Sequence, residues 1–111
     1  MSESLQLEYF YGVQTKEYTF YQIPKILISD SRFSKLNNDS KLAYGLMLDK
    51  ISLSIENEWF DDQNRAYIIY TLAKFSADLN CSPDKATRIF SSLQNIGLIE
   101  RVRRGQGKIK L

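Results

Sequence analysis

The stretch from Thr71 to Asn95 leaves the fold of this chain the least freedom. Thr71 can cap a helix over residues 72–79, which places Leu72, Phe75 and Leu79 on one face. Asn80 tolerates the left-handed backbone that ends a helix sharply. Just beyond it, Ser82 can cap a second helix, with Pro83 at its first position and Asp84 in its first turn, where an acid complements the helix dipole. Two amphipathic helices about three residues apart bury their apolar faces by folding back on each other, which is the outline of a helix-turn-helix.

The second helix divides by face. Ala86, Ile89, Phe90, Leu93 and Ile96 recur at helical spacing and form the expected core side. Asp84, Thr87, Arg88, Ser91 and Asn95 lie opposite, with Lys85 and Ser92 at the flank. This outer face is short, polar and positive. Small hydroxyls let a backbone approach a groove, and the planar fork of Arg88 suits a guanine edge or a phosphate. Near Gly97 the helix should end; residues 98–102 read as a strand, 103–108 as a basic turn and 109–111 as a returning strand. That hairpin is a wing. Gly105 and Gly107 permit its tight reversal, and its basic side chains suit phosphate or minor-groove contact. The expected class is α+β, a winged helix-turn-helix with an N-terminal β arm or hairpin and a C-terminal β wing.

Charge separates along the chain in the same way. Residues 1–80 hold 8 Lys/Arg and 11 Asp/Glu, a balance of −3, whereas residues 81–111 hold 7 basic and 2 acidic residues, a balance of +5. Segregated positive charge is the footprint of a polyanion-binding face, although charge alone fits a solvated basic tail equally well. With a single cysteine, Cys81, the chain has no internal disulfide. In the turn between two helices Cys81 reads as a small apolar residue rather than a redox sensor. No secretory signal and no apolar run of membrane-spanning length is visible, so the expected compartment is the cytoplasm and no membrane partner is expected.

The remaining elements frame that unit. Residues 5–11 and 18–23 carry aromatic and β-branched residues around a turn at 12–17, giving an expected arm over residues 1–17 and a domain over 18–111. Tyr9, Phe10, Tyr11, Tyr18, Phe20 and Tyr21 are more rings than a lone hairpin can bury, so they must pack on the domain or on a partner. Pro24 can open a short helix through Ile28. A long helix should begin at Asn38 or Asp39 and run from Ser40 to about Ile55. Its Leu42, Leu46 and Leu53 form one apolar stripe and Tyr44, Leu48, Ile51 and Ile55 another, so it should be covered from two sides, one being the core and the other the arm or a second subunit. Trp59 and Phe60 begin a strand, 61–64 make a turn, and 66–70 return. Glu58, Asp61 and Asp62 could be taken for a metal-binding cluster. With no histidine in the chain and no further carboxylate converging on them, they read as turn residues, and no metal or cofactor is expected. The chain stops at Leu111, directly after an expected strand, which suggests a domain of a longer protein.

Several segments resemble one family. Phe20-Tyr21-Gln22-Ile23-Pro24-Lys25, Leu36 through Lys41, Leu53 through Asp61 and Tyr67 through Thr71 are similar to the amino-terminal domain of RepA-type plasmid replication initiators of Gram-positive bacteria. So are Leu79-Asn80-Cys81-Ser82, Gly97-Leu98-Ile99-Glu100-Arg101 and Arg104-Gly105-Gln106-Gly107-Lys108, and the resemblance runs over about residues 18–111. One position departs from it: Ile109 stands where a proline is expected after the wing lysine. The resemblance implies a domain that binds repeated sites (iterons) in double-stranded DNA of a plasmid origin, as a homodimer, with a further C-terminal domain engaging host replication proteins. Mapped onto this sequence, it gives base reading to Lys85, Thr87, Arg88 and Ser91, and phosphate positioning to Ser82, Arg103, Arg104, Gln106 and Lys108.

Three functions fit these residues. The first is an origin-binding initiator domain, the second a transcriptional repressor on the same scaffold, and the third a protein-assembly module worked by the aromatic arm. An enzyme fits worst. Without histidine, and with neither a phosphate-binding loop nor a nucleophile beside a base, no catalytic set can be assembled.

Overall fold

The computed structural model describes residues 19–102 and 108–111. The expected arm over residues 1–17 and the turn of the wing, with Arg103, Arg104 and Gln106, lie outside the described residues. Four helices and three short strands follow one another: α1 (Ile26–Ser29), α2 (Asn38–Glu56), β1 (Tyr67–Ile69), α3 (Leu72–Leu79), α4 (Pro83–Asn95), β2 (Glu100–Arg101) and β3 (Lys108–Lys110). A single 3-10 turn, Ser31–Phe33, separates α1 from α2. The fold is α+β, as expected.

Helix ends fall where short polar side chains can satisfy the first free N–H groups. Asn37 accepts from the Ser40 N–H, and α2 starts at Asn38, two residues before the expected Ser40. Thr71 accepts from Lys74 and Ser82 from Lys85. Asn80 ends α3 in the left-handed region at φ 55° and ψ 49°. At the end of α4, Gly97 takes φ 89°, its N–H bonds the Gln94 carbonyl at 3.1 Å, and the Leu98 N–H reaches back to Leu93 at 3.0 Å. These two hydrogen bonds satisfy the carbonyls of Gln94 and Leu93 and turn the chain toward β2.

The strands form one antiparallel sheet in the order β1-β3-β2, with Ile68 opposite Ile109 and Arg101 also paired to Ile109. Ile109 is fully buried at the centre of β3. A proline there would lack the backbone N–H of a central strand, so the departure from the family pattern suits the sheet. The expected strand at Trp59 and Phe60 shrinks to a single bridge, Phe60 to Ala66. Asp61 closes the turn between them, accepting from the N–H groups of Gln63 (2.9 Å) and Arg65 (2.8 Å), from Arg65 Nε (3.0 Å) and from Lys110 Nζ (3.0 Å). These donors, led by the Arg65 N–H, hold its carboxyl well below the usual carboxylate range.

One core joins these elements. Tyr70, Phe75, Phe90, Ile89, Leu93, Ile68, Ile109 and Met47 are buried within it. Phe75 packs tilted against Phe90 at 4.8 Å between ring centroids and takes Tyr70 edge-on at 5.5 Å, which ties β1, α3 and α4 together. The Tyr70 hydroxyl donates to Asp78 Oδ2 at 2.7 Å, so burial and this bond push its ionisation well above the ordinary tyrosine range.

The long helix α2 corrects the sequence expectation. Its core stripe consists of Ser40, Ala43, Met47 and Ser54, flanked by half-buried Tyr44 and Ile51. Leu42, Leu53 and Ile55, expected in the apolar stripes, are exposed. Small residues face inward because α2 packs against α4, where Ala43 and Ala86 are both fully buried. The opposite side of α2 is covered at Gly45: a Cβ there would stand 3.1 Å from Ile23 Cγ1 and 3.3 Å from the Gln22 carbonyl oxygen. Residues 19–23, expected as part of a strand, join no strand among the described residues and cross α2 at this glycine. Ile96, expected in the core, caps the end of α4 and is exposed.

Candidate nucleic-acid interface

α3 and α4 are joined by Asn80, Cys81 and Ser82 alone. Cys81 is half-buried against the core and is a free thiol. The left-handed Asn80 reverses the chain, and the Phe75–Phe90 contact fixes the two helices. Ala86, Ile89, Phe90 and Leu93 then point inward, and helical geometry sends the residues between them outward.

The outward side carries most of the expected base-reading residues. Thr87 and Arg88 are exposed and Ser91 is half-buried, one turn beyond Arg88's side of the helix. Arg88 makes no ion pair or hydrogen bond with any described residue. The Thr87 hydroxyl donates to the Pro83 carbonyl at 3.0 Å. Lys85 behaves otherwise. It leaves the flank of α4, and its ammonium sits 2.9 Å from Asp39 Oδ2 at the start of α2. Ser82 is exposed, with its oxygen accepting the cap bond from the Lys85 N–H.

On the wing, Lys108 opens β3 with its ammonium 4.2 Å from the centre of the Tyr67 ring, which in turn stacks on Trp59. Arg103, Arg104 and Gln106 lie outside the described residues. One basic residue absent from the expected set belongs beside it. Arg101 Nε donates to Gln94 Oε1 of α4 at 2.9 Å, and its guanidinium lies 5.6 Å from the Phe90 ring centre. The side chain thus bridges wing strand and second helix and borders a cleft of about 340 Å³ lined by Tyr70, Leu72, Phe90, Val102 and Lys108. The signal was present in the sequence: Ile99 and Arg101 alternate with Glu100, so a buried Ile99 turns Arg101 toward the helices.

The described residues thus present a polar helix whose Arg88 has no partner among them, a second arginine at its edge and the strand pair of β2 and β3. Among the described residues no group of His, Cys, Asp or Glu could hold a metal ion, and no helix is long and apolar enough to cross a membrane.

Residues 19–110 match the family described as the N-terminus of replication initiator protein A (RepA). The chain belongs to this RepA family. A relative from Lactobacillus helveticus, called "41 kDa protein", is 33% identical over 86 residues, which cover 78% of this chain and 24% of that protein. The chain therefore spans about a quarter of the curated relative it matches. Three solved structures share this fold. One, "Structure of MDR initiator", superposes with a TM-score of 0.76 at 34% identity, covering 94% of this chain and 84% of its own. A second, "Structure of Rep-DNA complex", gives 0.75 at 35% identity, covering 94% and 82%. A third, "N-Terminal domain of DNA binding protein", gives 0.74 at 34% identity, covering 96% and 83%.

Proposed function

We propose that this chain is the DNA-binding domain of a plasmid replication initiator, and that it recognises repeated sites of the origin as sequence-specific double-stranded DNA. The observation that carries this is the outward face of α4. It is polar, and Arg88 stands on it with no partner among the described residues. A helix of this kind fits the major groove, where Arg88 can bond guanine O6 and N7 together while Thr87 and Ser91 read neighbouring edges. Ser82, Arg101 and the wing residues Arg103, Arg104, Gln106 and Lys108 would hold the flanking phosphates. A similar protein solved as a Rep–DNA complex supports the reading.

The same reading makes the domain a binding module rather than an enzyme, working in the cytoplasm. It acts as a homodimer on paired sites, using the exposed Leu42 and Leu53 of α2. Host replication proteins would be engaged by a further domain, consistent with a relative about three times as long.

The test is a binding titration on origin DNA and on mixed-sequence duplex. Arg88→Ala should cost about 1–3 kcal/mol on the origin site and much less on mixed sequence, because a bidentate base contact carries discrimination. Replacing Arg103, Arg104 and Lys108 together by alanine should flatten the salt dependence of log affinity by about two units or more on any duplex. Equal losses on both duplexes for Arg88→Ala would reduce that residue to a phosphate contact and remove the basis for α4 as the reading helix.

A further inference from the structure

Lys85 and Asp39 form the single ion pair among the described residues that links α4 to α2. Both side chains are close to half exposed, at 44% and 46%, so the pair sits on the rim of the proposed DNA face. Lys85 reaches from the flank of α4 to the start of α2, where its charge meets Asp39. A lysine is a point charge without the planar fork that reads a base edge, and this one is already matched by a carboxylate. A phosphate of the duplex would compete with Asp39 for the charge of this ammonium, and exposed ion pairs are weak enough for that competition to be close to balanced.

We propose that Asp39 is a positioning residue of the DNA face, which acts through Lys85 by competing with the DNA backbone for its charge. Lys85 is then a phosphate ligand held in check, and it reads no base. The inference rests on α4 being the DNA-facing helix. Asp39 keeps the net charge of this rim near zero, so the chain gives up one phosphate contact on any sequence. The removal of the carboxylate releases that contact.

The experiment is a double-mutant cycle on the whole chain, with a short mixed-sequence duplex as probe and salt as the variable. Asp39→Asn should tighten binding about two- to five-fold, the range spanned by exposed ion pairs, and steepen the log affinity against log salt slope by nearly one unit. In a Lys85→Ala background the same substitution should leave the slope unchanged and give a smaller gain, from relief of the Asp39 charge alone. Asp39→Glu keeps the charge and should keep the parent slope. Lys85→Ala alone should leave the ratio of origin to mixed-sequence affinity unchanged. Equal gains from Asp39→Asn in both backgrounds, or an Asp39→Glu variant that behaves like Asp39→Asn, would overturn the proposal and leave DNA binding by α4 standing. The absence of binding to any duplex by the parent and every variant would overturn both.

Discussion

Tyr70→Phe tests what holds the helix-turn-helix to the rest of the domain. The ring stays: Phe keeps the edge-on contact with Phe75 and the surface over which Lys50 Nζ lies at 4.7 Å. Only the hydroxyl that donates to Asp78 at 2.7 Å is lost. A hydrogen bond to a charged acceptor contributes about 1.5–3 kcal/mol when both ends are dry. Asp78 is not dry. Its side chain is 28% exposed and Lys74 remains 3.3 Å away, so it can recover solvation, which brings the expected loss down to about 1 kcal/mol. For a domain of this size that corresponds to a fall of roughly 4–8 °C in the melting temperature. The pH dependence sharpens the test. The Tyr70 hydroxyl is the largest cause of the depressed ionisation of Asp78, ahead of Lys74. A depressed carboxylate contributes its stability above the ordinary carboxylate range and loses it as pH falls toward its folded value. The gap between parent and variant should therefore be full at neutral pH and should close below about pH 4. Urea unfolding of both proteins across that window is the assay. An identical midpoint at neutral pH, or a gap that stays constant into acid, would refute the coupling of Tyr70 to Asp78.

Three further outcomes follow from the fold. Gly97→Ala meets no atom within 4 Å but must hold φ 89°, so it should cost about 1 kcal/mol of backbone strain in thermal melts without changing the salt slope of DNA binding. Asp61→Asn keeps acceptors for the turn N–H groups but loses its charge opposite Arg65 and Lys110, so it should destabilise the chain at neutral pH. Because the Asp61 carboxyl is depressed, the parent should lose stability on acidification below about pH 4 more steeply than Asp61→Asn, as read from urea midpoints at each pH. Ser40→Ala removes a fully buried hydroxyl that has no hydrogen-bond partner among the described residues, and should raise stability by about 0.5–1 kcal/mol; a lower melting temperature would show that the hydroxyl is bonded after all.

The difference between what was legible in the sequence and what was not follows the distance over which each feature is determined. Helix ends are local: Thr71, Asn80, Ser82 and Gly97 each act on a backbone group within a few residues, and all four perform the expected role. The faces of α4 are local too, because four large or small apolar residues at helical spacing leave little choice about which side is dry. The pattern of α2 misleads because its inward stripe is set by a neighbour. Packing against α4 selects Ala43, and the inward side also buries Ser40 and Ser54, none of which registers as a strong apolar signal, while the crossing of residues 22 and 23 selects Gly45. The same distinction divides the candidate site. That Arg88 faces outward needs only the helical period. That Lys85 is committed to Asp39, and Arg101 to Gln94, depends on side chains brought together by the folded chain. In this domain the residues that would touch bases are therefore the readable ones. The side Arg101 takes is legible from its alternation with Ile99, but its bond to Gln94 and the pairing of Lys85 with Asp39 become visible only when α2, α4 and β2 are placed in space.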